Sequence, residues 1–405
     1  MSGANPRVPG VGGDPREKLR EVTDPPDKVW FRDLDEAVIE ADRCVQCASC
    51  VAACPSDSIG IDEEEGRPTL VRMCTGCSSC WDYCPRSGLR YERVVELVGE
   101  ERGTDPSAYA ARAQTEAESA GQDGGAVTEL LAELLEAGEI DGAVVAKESV
   151  GMPLRGTATI ATTREELLES AGSIYNQTMG LGRIDELIER ACLEEPDLAL
   201  VGPPCVVQGA SALVRYEHEA ADPIALTIAL MCTRTFEHDR LTGALAERGV
   251  DPAAVDKLDV ADGVLFAYDD KRTALLEEPV DHFDAPALDG CEECADFVGG
   301  AADISAGSIG SEDGYTTMLV RTERGELLWE HGAAALETTE LENTEAVERI
   351  ATWNERRARE TLPREYDPEG PVGIGYAEHR RDYDDTDSEP EPLNPARVHQ
   401  YEEWC

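Results

Sequence analysis

Two short cysteine runs constrain the fold of this chain more than any other feature. Each run reads C-x2-C-x2-C-x3-C-P, and the second repeats the first 30 residues later. A run of this spacing wraps three thiolates around one cubane [4Fe-4S] cluster and sends its fourth thiolate to a second cluster. We therefore predict one cluster on Cys44, Cys47, Cys50 and Cys84, and a second on Cys74, Cys77, Cys80 and Cys54.

Structural zinc is the alternative reading of these cysteines, because two C-x2-C units can form a four-thiolate zinc site. Zinc does not account for eight cysteines in two identical runs, each followed by a proline. The sequence therefore favours a bacterial-type ferredoxin module with two [4Fe-4S] clusters. A module of this kind carries electrons, so the much longer remainder of the chain must supply or consume them.

The composition indicates an unusual environment. The chain has 405 residues and a formal net charge of -48, with 84 acidic and 36 basic residues. This is typical of adaptation to high salt, since a Debye length of about 3 Å at 1 M salt screens self-repulsion. No stripe of lysine and arginine is present to neutralise phosphates, so we expect no nucleic-acid partner.

The cellular location follows from segments that the sequence lacks. The first residues contain no apolar signal region, and no apolar run approaches the roughly 20 residues of a membrane helix. We therefore predict a cytoplasmic protein with no membrane span. Thiols stay reduced in that compartment, so the fourteen cysteines favour metal ligands over disulfides.

Hydrophobic periodicity divides the chain into segments. The stretch "AVTELLAELLEAG" predicts an amphipathic helix ending at Gly138, and "IDGAVVA", "DLALVGPPC", "PIALTIALMC" and "YTTMLVRT" predict strands. The fold class is thus α+β or α/β, with a small ferredoxin-like domain before an α/β domain. We predict a disordered leader at 1–25, the ferredoxin-like domain at 26–97, a polar linker at 98–122, the α/β domain at 123–365 and an acidic tail at 366–405.

Six further cysteines lie outside the two runs. Cys192 is expected on the apolar side of a helix, packed in the protein core. Cys405 is expected to be an exposed thiol. The other four lie at predicted strand ends or in the adjoining loops, namely Cys205, Cys232, Cys291 and Cys294. Spacing alone leaves two readings open for these four, a third metal site or small buried hydrophobic residues.

Several segments together resemble the coenzyme F420 hydrogenase/dehydrogenase beta subunit family. They are "GGAVTELLAELLEAGEIDGAVV", "ATTREELLESAGSIYNQT", "VGPPCVVQGA", "IALMCTRTF", "CEECADF" and "ADISAGSIGSEDGYTTMLVRTERGELL". The resemblance implies an FAD-binding α/β domain that exchanges hydride with coenzyme F420. It also implies a third [4Fe-4S] cluster beside the flavin, held by Cys205, Cys232, Cys291 and Cys294. Family members with a fused amino-terminal ferredoxin module match the arrangement seen here.

The same resemblance assigns flavin contacts to eight residues. They are Gly124, Gly125, Thr128, Ser173, Tyr175, Gly310, Thr316 and Thr317. The chain departs from the family at Ile174, where lysine is commoner. Arg155 and Arg321 are candidates to balance the phosphate charge of the flavin, although surface ion pairing is an equal alternative for both.

The implied cofactors define an electron path. A 5-deazaflavin transfers electrons in pairs as hydride and an iron-sulfur cluster transfers one, whereas a flavin can do both. We therefore expect an F420-dependent oxidoreductase that exchanges hydride between coenzyme F420 and FAD. It would relay single electrons to a soluble ferredoxin or a partner oxidoreductase subunit, and no acid or base is nominated as catalytic. The alternatives are a relay subunit without independent activity, and a ferredoxin-dependent flavin reductase of an organic substrate.

Overall fold

The computed structural model describes residues 30–63, 65–77, 79–87, 106–261 and 263–361. The predicted leader (1–25), the acidic tail (366–405) and Cys405 lie outside the described residues. Along the part of the chain that the structure describes, every helix is too short or too polar to cross a membrane.

The amino-terminal part is built around the two cysteine runs. Its helices are α1 (Phe31–Leu34), which continues into a π-helical turn at Asp35–Ile39, α2 (Ser49–Ala52) and α3 (Ser79–Asp82). An antiparallel hairpin joins β1 (Ile59–Asp62) to β2 (Arg67–Leu70). The buried side chains of Phe31, Leu34, Ile59 and Trp81 pack against the cysteines. The small core is therefore built around the cysteine side chains.

A mixed eight-stranded sheet forms the centre of the rest of the chain. Its strands are β3 (Ser107–Ala113), β4 (Gly142–Glu148), β5 (Gly156–Ala161), β6 (Leu198–Gly202), β7 (Ile224–Leu230), β11 (Ile304–Gly307), β12 (Thr316–Val320) and β13 (Leu336–Glu340). The spatial order is β13-β3-β12-β11-β7-β6-β4-β5. The four central strands β4, β6, β7 and β11 run parallel, and the outer pairings are antiparallel.

Helices cover both faces of this sheet. The helices of this part are α4 (Ala117–Ala120), α5 (Ala126–Ala137), α6 (Arg164–Glu169), α7 (Ile184–Ala191), α8 (Pro204–Arg215), α9 (His238–Glu247), α10 (Glu323–Gly332) and α11 (Thr344–Thr361). On β4, Val144 joins the core formed with α7 and α8, whereas Val145 joins the core formed with α5 and α10. Neighbouring residues of a strand point to opposite faces, so one strand contributes to two cores.

A smaller antiparallel sheet lies beside α9. It contains β8 (Lys257–Ala261), β9 (Val264–Tyr268) and β10 (Ala274–Pro279) in the order β10-β9-β8. Phe236, Leu245 and Phe283 are fully buried in its core. Short 3-10 turns complete the fold at Gly180–Arg183, Glu219–Ala221, Pro252–Ala254, Val280–Phe283, Asp289–Glu293 and Ala333–Ala335.

The mixed α/β fold expected from the sequence is confirmed, and so is the helix that ends at Gly138. That glycine takes the left-handed conformation, with φ 71°, which closes helix α5. Two expectations were wrong. Residues Ser107–Ala113 of the predicted linker form β3, which is paired on both sides, because two neighbouring strands outweigh the weak strand propensity of its alanines. Cys192 is exposed, since the chain leaves α7 there in the left-handed conformation.

The cysteine-rich part packs directly on the α/β part. Val45, Ala53 and Tyr83 share one buried core with Leu181 and Val206. The fit depends on glycines, because a Cβ at Gly182 would lie 2.8 Å from Ala48 Cβ and one at Gly209 would overlap the Ser49 hydroxyl. The two parts therefore share a continuous interior.

A buried ion pair crosses the same interface. Arg43 Nε and Nη2 donate to the two carboxylate oxygens of Glu293 at 2.8 and 2.6 Å, and Arg43 Nη1 donates to the Ala37 carbonyl at 3.1 Å. The side chains are 2% and 1% exposed. Such a fork-to-fork pair fixes orientation as well as distance. Because Arg43 precedes Cys44 and Glu293 precedes Cys294, the pair ties two cysteine loops together.

We predict that Arg43→Met lowers the free energy of unfolding by about 3–5 kcal/mol, because it leaves the Glu293 carboxylate buried without this partner. Anaerobic denaturant titration of the cluster-loaded protein in high salt measures the change. The double variant Arg43→Met/Glu293→Leu should recover much of the loss. The control is Arg32→Met, which breaks the exposed pair with Glu36 and should change stability little. Equal effects of Arg43→Met and Arg32→Met would contradict the role given to the buried pair.

Candidate metal centres and cofactor site

The first cysteine set comprises Cys44, Cys47, Cys50 and Cys84, and the structure brings these four together. Burial raises the pKa of Cys44 to about 12, and the nearby thiols of Cys47 and Cys84 contribute. Burial is also the main cause that raises the pKa of Cys50, and the neighbouring thiols of Cys84, Cys47 and Cys44 raise it further. Cys84 comes from the second run and lies among the cysteines of the first, as the predicted exchange of fourth cysteines requires.

The second cysteine set comprises Cys54, Cys74, Cys77 and Cys80. Burial raises the pKa of Cys80, and the other three thiols of this set add to the shift. Burial likewise raises the pKa of Cys77, with contributions from Cys54 and Cys74. Here too the fourth member, Cys54, comes from the other run.

Backbone geometry aims amide groups at the sulfurs. Gln46 N and Gly76 N each donate to the sulfur two residues earlier, Cys44 Sγ and Cys74 Sγ, at 3.3 Å. Gln46 and Gly76 occupy equivalent places in the two runs, and both have left-handed backbones, with φ 52° and 70°. Such N–H···S bonds stabilise a thiolate. The repeat in sequence is therefore also a repeat of local conformation.

The third cysteine set comprises Cys205, Cys232, Cys291 and Cys294. Cys205 and Cys232 follow β6 and β7, which end at the same edge because they are parallel. Cys291 lies within the 3-10 turn Asp289–Glu293 and Cys294 directly after it. Burial raises the pKa of Cys205, with contributions from Cys47, Cys294, Cys291 and Cys232. The reading as scattered small hydrophobic residues does not predict this grouping.

Side chains from distant segments surround the third cysteine set. Gln177 Nε2 donates to Cys205 Sγ at 3.2 Å, and Thr235 N donates to Cys291 Sγ at 3.5 Å. On α11, the fully buried Asn354 donates to the Cys294 carbonyl at 2.9 Å. Arg357 Nη2 donates to the Cys291 carbonyl at 3.0 Å. Sequence reasoning missed these residues because a bond to a backbone carbonyl about 60 residues away leaves no spacing signal.

The donor sets fit [4Fe-4S] clusters. Each set supplies four buried or half-buried thiols, which is the type and number of ligands that such a cluster takes. Within the described ranges, no group of three or more cysteine, histidine or acidic side chains is placed to hold a single metal ion. In a cubane cluster each cysteine binds a different iron atom. The four cysteines of a cluster therefore lie further apart than the ligands of a single metal ion.

The candidate flavin residues around α5 form one local structure. Gly124 and Gly125 both have φ 66°, and a Cβ at Gly124 would lie 2.6 Å from the Gly314 carbonyl oxygen. The Thr316 hydroxyl donates to the Asp123 carbonyl. Thr128 is half-buried in the first turn of α5. The amino terminus of this 12-residue helix carries the partial positive charge that favours anionic groups.

A buried side-chain amide without a hydrogen-bond partner among the described residues lies just before this glycine loop. The Gln122 side chain is buried at both Oε1 and Nε2, and neither atom has a hydrogen-bond partner among the described residues. Nearby, Lys257 Nζ donates to the Gln122 carbonyl at 3.5 Å and lies 3.3 Å from Asp259. Buried polar atoms are nearly always paired, so this amide fits a ligand such as FAD. Sequence reasoning missed Gln122 and Lys257.

Tyr175 connects this loop with the third cysteine set. Burial is the main cause that raises the pKa of Tyr175. The charges of Asp259 and Asp123 raise it further, and Cys232 also contributes. Its ring contacts Phe236 at a centroid distance of 6.3 Å. Tyr175 therefore lies close both to the loop before Gly124 and to Cys232.

The remaining candidates lie elsewhere or have protein partners. Ser173 is exposed, and Gly310 belongs to the loop after β11. The Thr317 hydroxyl donates to the Ile309 carbonyl at 2.8 Å within that loop. Arg155 Nη2 donates to the Glu63 carbonyl at 3.3 Å, and Arg321 donates to the Ser305 hydroxyl.

Comparison with protein families divides the chain into three matched regions. Residues 37–89 match a 4Fe-4S dicluster domain. Residues 108–184 match the coenzyme F420 hydrogenase/dehydrogenase beta subunit N-term model, and residues 196–344 match the corresponding C terminus model. The first region contains both cysteine runs, and the last contains the third cysteine set.

Individual relatives agree with these matches. The chain is 30% identical over 346 residues to the coenzyme F420-dependent sulfite reductase of Methanocaldococcus jannaschii, covering 81% of this chain but only 51% of that enzyme. It is 30% identical over 253 residues to the coenzyme F420 hydrogenase subunit beta of Methanothermobacter thermautotrophicus, covering 60% of this chain and 88% of that subunit. A chain of the F420-reducing [NiFe] hydrogenase complex from Methanosarcina barkeri shares the fold, with a TM-score of 0.59 at 24% identity over 72% of this chain and 98% of that chain. This chain therefore belongs to the coenzyme F420 hydrogenase/dehydrogenase beta subunit family, and it carries a 4Fe-4S dicluster domain ahead of the two beta subunit regions.

Proposed function

We propose that this protein is an F420-dependent oxidoreductase that exchanges hydride between coenzyme F420 and bound FAD. Three [4Fe-4S] clusters then connect the flavin with a ferredoxin or a partner oxidoreductase subunit. The observation that carries the proposal is the spatial order of the candidate groups. The glycine loop before α5, Tyr175, the third cysteine set, the first set and the second set follow one another through the protein.

Electrostatic interactions between neighbouring groups support this order. Tyr175 interacts electrostatically with Cys232 of the third set. Cys205 of the third set interacts with Cys47 of the first, and Cys50 of the first interacts with Cys80 of the second. Each step therefore joins groups that lie close together in the described structure.

The residues of this chain bind, orient and shield the redox groups. When bound, FAD exchanges hydride with a deazaflavin and single electrons with iron-sulfur clusters. The α5 amino terminus and the Gln122 amide supply donors for the polar part of the flavin. The buried core that contains Tyr83 and Leu181 also contains Cys47 of the first set and Cys205 of the third.

The far end of this order is suited to a protein partner. Cys74 and Cys77 of the second set are half-buried, and the neighbouring Met73 is 89% exposed. Relatives are described as subunits of a hydrogenase. This favours, as a second candidate, a relay subunit that delivers electrons to a partner at the second set and has no activity alone.

The proposal is tested by mixing the anaerobically purified, reconstituted protein with reduced coenzyme F420 in high salt. We expect the flavin absorbance to bleach as oxidised F420 appears, because hydride moves to the flavin. Turnover with an artificial acceptor would identify a self-contained enzyme, whereas flavin reduction without turnover would identify the relay subunit. A bound flavin that stays oxidised would contradict F420 as the substrate and leave a ferredoxin-fed reductase.

We predict that Gln122→Leu weakens FAD binding about tenfold, because the ligand loses hydrogen bonds worth about 1.4 kcal/mol. The apoprotein should be no less stable, since this amide has no protein partner to lose. Quenching of FAD fluorescence measures the affinity, and thermal unfolding of the apoprotein measures the stability. The matched control is Gln114→Leu, which replaces an exposed glutamine directly after β3. Unchanged FAD affinity in Gln122→Leu would place the flavin elsewhere.

We predict that Arg357→Met removes about a third of the bound iron, because the Cys291 and Thr233 carbonyls lose their bonds to α11 and the third of three clusters is lost with them. Iron and sulfide analysis of the reconstituted protein measures the loss. Arg356→Met changes the exposed neighbour on the same helix and should retain full iron. Full iron in both variants would show that Arg357 does not support the third set.

A further inference from the structure

Arg86 is a buried cation that the proposed electron path does not explain. It follows Pro85 at the end of the second run and is 4% exposed. Its Nε donates to the Gly290 carbonyl at 2.7 Å, and its Nη1 donates to the Pro85 carbonyl at 3.2 Å. Its Nη2 is buried and has no hydrogen-bond partner within the described residues. A buried guanidinium with a free donor group indicates a partner that the protein itself does not supply.

The charge of Arg86 faces two cysteine sets at once. Its side chain donates to the carbonyl of Gly290, the residue before Cys291 of the third set, and its charge interacts with Cys294, then with Glu293, Cys205 and Cys291. Its backbone N–H donates to Cys84 Sγ of the first set at 3.4 Å, and its charge interacts with Cys44 and Cys47 of that set. The guanidinium therefore lies between the sites of two proposed clusters.

Among the described residues, Arg86 forms no salt bridge with an acidic side chain. The Glu293 carboxylate acts on Arg86 electrostatically, but Arg43 binds both of its oxygens in a fork. A positive charge that is buried without an ion pair has a large effect on its neighbours, because little solvent screens it. Its field therefore acts on the two cysteine sets.

We propose that Arg86 tunes both neighbouring clusters, its guanidinium raising the reduction potential of the cluster at the first set and of the cluster at the third set. Reduction adds one electron to a [4Fe-4S] cluster, so a fixed positive charge favours the reduced state. The same charge offsets the repulsion between two adjacent reduced clusters. Arg86 thus places a fixed positive charge between two steps of electron transfer.

This inference rests on the proposed function only in requiring clusters at the first and third sets. It does not depend on coenzyme F420 or on FAD. The test therefore uses dithionite as the one-electron donor and follows each cluster by EPR in a potentiometric titration of the full chain. A failure of F420 to reduce the flavin leaves this experiment unaffected.

The charge is removed in Arg86→Met and Arg86→Gln and retained in Arg86→Lys. We expect both neutral variants to lower the equilibrium constant for reduction of the clusters at the first and third sets at least tenfold. For a one-electron step, this lowers the reduction potential by about 59 mV. The cluster at the second set should keep its potential, and Arg86→Lys should keep most of the wild-type values. Arg190→Met removes a 67% exposed arginine on α7 and should shift none of the three.

Several results would overturn the proposal. Unchanged potentials in cluster-loaded Arg86→Met and Arg86→Gln would show that the charge has no such effect. Equal shifts of all three clusters would indicate a general structural change. If the neutral variants lose iron, Arg86→Lys decides the matter. Full iron and wild-type potentials in Arg86→Lys support the electrostatic role, whereas loss of iron in that variant too would make Arg86 a packing residue.

Discussion

The site depends on the rigid attachment of the cysteine-rich part to the α/β part. Groups that exchange single electrons must be held close together, and a loosely tethered module would not keep Cys47 beside Cys205. Here a continuous apolar core, two close-fitting glycines and the buried Arg43–Glu293 pair hold the two parts together. The ion pair also fixes the relative orientation of the two parts, because its two hydrogen bonds orient the loops of Cys44 and Cys294.

The third cysteine set shows how the sheet builds a site from distant residues. Parallel strands β6 and β7 place Cys205 and Cys232 at one edge, and the turn before β11 supplies the other two cysteines. These loops have little regular structure, so their carbonyls need outside donors. Asn354 and Arg357 provide those donors from α11, most of which lies beyond the region that matches the family model. A helix at the end of the described chain thus completes a site formed at its centre.

Local patterns predicted the features that depend on neighbouring residues. The cysteine spacing predicted that Cys84 would lie among the cysteines of the first run and Cys54 among those of the second, and the structure places both there. Helix α5 and its glycine cap were likewise predictable from periodicity. Strand β3 was not, because its alanines become a strand only when β12 and β13 pair with it. The partners of Arg43, Gln122 and Asn354 depend on contacts or a ligand that no local pattern records.

The distribution of charge links the composition to the redox site. The chain has 84 acidic residues and only 36 lysines and arginines, so its average field disfavours adding electrons to buried clusters. Three of those scarce cations, Arg43, Arg86 and Arg357, lie buried or half-buried beside cysteine loops. Molar salt screens the exposed carboxylates but reaches buried charges much less. Arg43 is balanced by Glu293, so Arg86 and Arg357 supply the interior positive charge that acts on the third cysteine set with little screening, whereas salt weakens the effect of the surface carboxylates.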